Sequence, residues 1–417
     1  AEREKGHRDR ADWIRTLKAD PERVRSPQGL KPGEFSYDQL YLLHSIREDG
    51  VTRDRDWGSA WQQLIPEFGE EVALAYRDAA VAFWRPYMPG LRSEGADTGS
   101  TPYALTFAMA GITIAFTEDE GFFAALSDAE VRHALRYFTW ELNGFPRWFE
   151  PLYRAHPKAG LKAVASELIW ELDHSKTDQP TYHVLHDILY HAPWLHADVA
   201  PLILQWLQAN DMHNADNLRY CLNILSSSGI DSAELGMLAK AKLSGRVDFE
   251  QRPRWYALWV DNAPDDAIPA LEKELESLGQ EDGSTFAQNF VVSLVGDRHG
   301  TGNRTGAFKT PAHLKSLYVL MHRYIRTSDD IDRANGKVYS PTRRDNAQDA
   351  RNQIFNLLSS QPGAETYAAI KALEKDHPEP SYRQWMAKRA RERAIADADE
   401  PAWDASDIHA FASRFAA

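Results

Sequence analysis

Four segments of this chain can be laid over one another: YHVLHDILYHAP at 182–193, LRYCLNILSSSG at 218–229, RWYALWVDNAP at 254–264 and NQIFNLLSSQPG at 352–363. Each reads as a helix stopped by proline or glycine, followed by a second amphipathic stretch. The breakers Pro193, Gly229, Pro264 and Gly296 lie 36, 35 and 32 residues apart. Two helices per unit at roughly that period mark an α-solenoid. Tetratricopeptide consensus positions are not recognisable, so the units are read as HEAT-like hairpins. The second helices keep helical spacing, with Val199, Leu202, Ile203, Trp206 and Leu207 at i, i+3, i+4, i+7 and i+8. FVVSLV at 290–295 is rich in β-branched residues but occupies a first-helix slot, and is read as helix. The expected fold class is all-α.

The repeat pattern divides the chain into three parts. Residues 1–126 show no repeat and form an N-terminal helical region. Residues 127–380 carry the HEAT-like repeats, interrupted by a basic insertion at 297–343. Residues 381–417 supply capping helices. Within the first part, helices are expected at 2–19, Tyr37–Arg47, Glu70–Arg85 and Tyr103–Phe116, with Pro86–Pro102 as loop. Asp128 is the expected N-cap of a helix carrying Val131, Leu135, Phe138 and Leu142.

Composition narrows the function classes. The net charge of −13 argues against general nucleic-acid binding, which needs a dominant basic face. The single cysteine, Cys221, permits no intrachain disulfide, fits a reducing, cytoplasmic setting and is read as a small buried residue. No apolar run approaches the ~20 residues of a membrane span, so no membrane partner is expected. The opening AEREKGHRDRADW is a charged helical run without an initiator Met or apolar leader, and is read as a start inside a longer protein.

Gly296–Arg351 departs from this acidic background. It holds 11 Lys/Arg against 6 Asp, a net +5, so the remainder of the chain carries −18. Thr310 and Pro311 form a helix start, with Leu314, Leu317, Tyr318, Met321 and Ile325 as the buried face of a helix reaching Arg326. The candidate ligand-binding residues are Arg298, His299, Lys309, His313, Lys315, His322, Arg323, Arg326, Arg343 and Arg344. Together they could hold an anion or an acidic protein surface. The competing reading is internal neutralisation by Asp329, Asp330, Asp332, Asp345 and Asp349.

Other candidate chemistry is weaker. GTGNRTG at 300–306 has no GKS or GKT and no preceding strand, so it is not a P-loop. His183, His186, His191 and His196, with Asp187, have spacings that could chelate a metal. The group lacks an HExxH pattern, and the neighbouring Tyr182, Tyr190 and Trp194 favour packed, hydrogen-bonded histidines. Neither a metal nor a cofactor is therefore expected. Glu118–Glu120 and Asp329–Asp330 read as solvated turns, and NGFPRWFEPLY at 143–153 and PAWDASDIHAF at 401–411 as core or capping segments. An enzyme would have to build its site from Asp297, His299, His313, His322 and Asp349. A structural oligomerisation domain is a third alternative.

YHVLHDILYHAPWLH, GDRHGTG, GAFKTPAHLKSLYVLMHRYIR, VYSPTRRDNAQDARNQIF and HPEPSYRQWMAKRARERAIADAD, with DWGSAWQQLIPEFGEE and STPYAL nearer the start, resemble the C-terminal helical region of large bacterial NACHT/STAND-type NTPases and related proteins. The resemblance implies a non-catalytic sensor or scaffold that binds a protein or peptide ligand, with a role in antiphage defence. It also implies an NTPase outside this chain, which has no Walker motifs, and oligomerisation through that missing region. It supplies no catalytic residue.

Overall fold

The computed structural model describes residues 2–48, 58–177, 183–296, 306–332 and 339–399. Twenty α-helices and five short 3-10 turns make up the described chain, with no extended strand among the described residues. The fold is all-α. Packing divides the chain into two compact units, Ala1–Leu202 and Ile203–Ala417.

The first unit is built on the pairing of Glu70–Phe83 with Tyr103–Glu118. The second of these is apolar almost all round, and from Leu105 to Ala115 only Thr113 is not buried. Gly111 allows the close approach, because a Cβ there would stand 1.9 Å from the Ala80 carbonyl oxygen. Phe83, Phe107 and Tyr76 fill the seam, and the Tyr76 hydroxyl donates to the Gly58 carbonyl at 2.9 Å.

Where the chain turns after Trp84, side chains of the 3-10 segment Leu135–Trp140 hold the loop. Arg136 donates to the Pro89 carbonyl at 2.9 Å and to Glu94 at 2.6 Å, and Trp140 Nε1 donates to the Gly90 carbonyl at 3.1 Å. The expected helix start is displaced by one residue. Ser127, not Asp128, is the N-cap, because Glu130 completes a reciprocal capping box with it. That helix also ends early, at Ala134, and continues as a 3-10 segment, Leu135–Trp140. Leu142 therefore leaves the expected buried stripe and is exposed.

The second unit follows the repeat pattern. Its helices follow in order as Ala215–Ser227 and Ser232–Ser244, Arg252–Asn262 and Pro264–Ser277, Gln280–Val295 and Pro311–Tyr324, and Arg343–Ser359 and Ala364–Asp376, with Ser232–Ser244 packed on Arg252–Asn262. The four leading helices stack in sequence as one layer. The second layer runs from Pro264–Ser277 through Pro311–Tyr324 to Ala364–Asp376. Pro380–Asp399 closes the array against Ala364–Asp376. Between the layers lie Leu225, Leu258, Phe290, Ile354 and Leu358 from one side and Leu238, Leu271, Leu317 and Leu373 from the other, all buried. Gly229 and Gly363, at matching positions of their repeats, both have positive φ, +83° and +101°, which a residue with a Cβ rarely adopts.

FVVSLV is helical, inside Gln280–Val295, and Cys221 is fully buried. The basic block, however, is not inserted as a whole. Its helix Pro311–Tyr324 is a regular member of the second layer, and what is lengthened is the chain on either side of it. The start is as expected, with Thr310 accepting from the His313 N–H. The helix ends at Tyr324, two residues short of Arg326.

Candidate functional site

Among the described cations of the basic block, Lys315, Arg323, Arg344 and Arg351 have carboxylate partners, the first two on other helices and the last two within the block itself. Lys315 reaches Asp376 at 2.5 Å, Arg323 reaches Glu272 at 2.6 Å, and His313 Nε2 lies 2.9 Å from Asp265. Of the aspartates expected to neutralise the block, Asp330 takes the central place. It accepts from Arg344 at 2.8 Å and from Arg351 at 2.6 Å. Arg351 is 1 % exposed and donates a further bond to the Ile325 carbonyl at 2.8 Å. Asp345 instead caps its own helix with Thr342.

His322 is a correction to the expected basic edge. It is 1 % exposed, packed at a tilt against the rings of Tyr318 and His377, with Nδ1 3.2 Å from Glu379. Burial first, and the charge of Arg351 second, hold its pKa below the ordinary imidazole value. It is a neutral core residue and cannot touch a surface ligand. Of the alternative histidine–aspartate set, His313 lies 2.9 Å from Asp265 and His322 3.2 Å from Glu379. Asp297, Arg298 and His299 lie outside the described residues, as does most of GTGNRTG. The end of that loop is pinned where the Gly306 N–H donates to buried Asp261 at 2.7 Å.

Lys309, Arg326 and Arg343 remain exposed, without a carboxylate partner among the described residues. Lys309 lies over the ring of the preceding Phe308, and the Arg326 carbonyl accepts from Arg344. Arg343 opens its helix. The structure adds an arginine that the charge count of the block missed. Arg254, near the start of Arg252–Asn262, is half-buried and donates to the Glu250 carbonyl at 3.1 Å, with no carboxylate partner among the described residues. Burial, with the charges of Arg219 and Arg343 added, holds its pKa below the ordinary arginine value against the pull of Asp216 and Glu250. All three arginines stand on leading helices of one layer. Arg254 and Arg343 sit in the first turns of their helices, where the backbone already presents positive charge and favours an anion. Arg254 lies outside Gly296–Arg351, so a local charge count could not have found it.

A separate cleft lies within the first unit. It has a volume of about 470 Å³, and its wall includes Arg92, Thr98, Thr101, His186, Asp187 and His191. Two of the four histidines flagged in the sequence are structural, as expected. His183 Nε2 lies 2.7 Å from buried Glu167, and His196 Nε2 lies 3.0 Å from the Ile188 carbonyl. Burial raises the Glu167 pKa, but hydrogen bonds from His183 and Ser93 outweigh it and the net shift is downward. Glu171, also buried, accepts from the backbone N–H groups of His183, Val184 and Leu185, fixing the entry to the Leu185–His191 helix. Burial still pushes its carboxyl up to about 7.

Comparison with family models, curated proteins and solved structures finds no match to this chain.

Proposed function

We propose that this chain is a non-catalytic helical-repeat recognition module whose second unit binds an acidic protein or peptide partner. Stacked helical hairpins offer extended surfaces suited to such ligands. The observation that carries the reading is Arg254: a half-buried guanidinium with no carboxylate partner among the described residues, beside Arg219 and Arg343. Arg219 is itself paired with Asp216 at 3.6 Å, and an anionic group entering beside Arg254 adds a charge-assisted partner to its guanidinium. Arg326 and Lys309 are exposed cations of the same unit and extend the charge available to a partner. Following the resemblance noted above, the module serves as the ligand-sensing part of a larger bacterial STAND-type NTPase, in antiphage defence.

Fluorescence anisotropy with a labelled glutamate-rich peptide tests the binding. The peptide is expected to bind, to weaken as salt is raised, and to lose affinity with the double variant Arg254→Glu/Arg343→Glu. No binding, or equal binding by the charge-reversed protein, overturns the reading. The NTPase assignment is tested by sequencing the full-length transcript. A Walker A motif upstream supports it, and a transcript without one rejects it.

A further inference from the structure

Three side chains of the first-unit cleft bring candidate metal donors close to one another. His186, Asp187 and His191 all belong to the short Leu185–His191 helix and line the cleft together. One donor atom from each lies within 4.8 Å of the other two. His186 Nδ1 and Asp187 Oδ1 are already 3.1 Å apart. In a tetrahedral zinc site, with bonds of about 2.0–2.1 Å, neighbouring donors are about 3.4 Å apart. One edge of the tetrahedron is thus nearly formed. The others close with side-chain rotations on the order of 1 Å.

Their surroundings hold the donors in place. Glu171 fixes the start of the helix through three backbone N–H groups. His186 is packed against Tyr190, with ring centroids 4.8 Å apart. The His191 ring lies against Gly144, where a Cβ would come within 2.7 Å of the ring. Gly144 has φ +89°, so the turn that admits the histidine is itself one that favours glycine. Two imidazoles and one carboxylate suit a borderline divalent ion such as Zn²⁺, and are too few and too nitrogen-rich for Ca²⁺ or Mg²⁺.

We infer that His186, Asp187 and His191 form a binding site for one transition-metal ion of the Zn²⁺ class. Three protein ligands leave a fourth coordination position for water or a small ligand. The cleft volume falls within the size range of small-molecule sites. This site is independent of the arginines proposed for partner binding and stands or falls without them.

Titration of the full chain with Co²⁺, followed by displacement with Zn²⁺, tests the inference. One equivalent of Co²⁺ is expected to give the visible absorption of a tetrahedral complex, and Zn²⁺ should abolish it. His186→Ala and His191→Ala should each weaken binding by more than about tenfold. His313→Ala, a histidine of the second unit paired with Asp265, should leave it unchanged. His191 is exposed, so its variant should fold normally, as judged by circular dichroism without metal. Absence of a tetrahedral spectrum overturns the site. So does metal binding that survives in both cleft variants, since the ion is then held elsewhere.

Discussion

Replacing Asp330 with alanine should unpin the Arg343–Ser359 helix. Asp330 accepts from both Arg344 and Arg351, and Arg351 is 1 % exposed. Removing one partner of a buried pair costs about 3–5 kcal/mol, because the other charge is left without compensation. Here Asp330 is 27 % exposed, and Arg351 keeps the Ile325 carbonyl, so the lower end applies, about 3 kcal/mol. At 1.36 kcal/mol per factor of ten, that is a local opening equilibrium shifted by about a hundredfold. Hydrogen–deuterium exchange of the full chain reads this shift in peptides from Pro311–Tyr324 and Arg343–Ser359. It is preferable to a global melt, because two compact units need not unfold together. Glu272→Ala is the control. It breaks the exposed Arg323 pair and should cost less than about 1 kcal/mol. The double change Asp330→Ala/Arg351→Met should recover much of the loss by removing the stranded charge. If Asp330→Ala accelerates exchange no more than Glu272→Ala, Arg351 does not depend on Asp330, and the internal pairing described here is wrong.

His322 gives a pH dependence with a definite sign. Its folded pKa is depressed by burial and by Arg351, so as pH falls below about 6.5 the unfolded chain takes up a proton before the folded one does. Stability present above that pH is therefore lost toward acid, by about 1.4 kcal/mol per unit while only the unfolded state is protonated. Exchange rates in Pro311–Tyr324 between pH 7 and 5.5, corrected for intrinsic chemistry, should show this slope, and His322→Phe should flatten it; an equal slope in both proteins counts against the assignment. Gly111→Ala should lower the melting temperature of the first unit by an amount matching 3 kcal/mol or more, roughly the upper end for overpacking, because the new Cβ meets the Ala80 carbonyl rather than a movable side chain. An unchanged melting temperature would show that the two helices can part without cost. Ser127→Ala and Thr342→Ala should each cost about 1 kcal/mol in urea titrations, since each removes one half of a capping box.

Local order was legible in the sequence where it depends on residues a few positions apart. Thr310 and Pro311 specify a helix start whatever surrounds them, and the start is as read. FVVSLV is a helix because the repeat places it in a buried leading slot, which outweighs β propensity. The one-residue error at Ser127 came from two adjacent residues that can both cap, and only the reciprocal bond from Glu130 decides between them. The charge partners were not legible. Asp265, Glu272 and Glu379 lie 48 to 57 residues from the His313, Arg323 and His322 side chains they meet, brought there by the stacking of layers. A net charge of +5 counted along one stretch therefore overstated the positive surface. Arg254 was overlooked for the mirror-image reason, since its lack of a carboxylate partner among the described residues is also a product of packing. Among the histidines, residue type alone could not separate His183 and His196, tied to Glu167 and a backbone carbonyl, from His186 and His191, which line the cleft.

Recognition through the arginines of the second unit is tested most directly by an exchange footprint of the full chain with and without a saturating glutamate-rich peptide. Protection is expected at the leading-layer segments carrying Arg219, Arg254 and Arg343, with the first unit unchanged. Protection confined to other segments, or none at all, would contradict it.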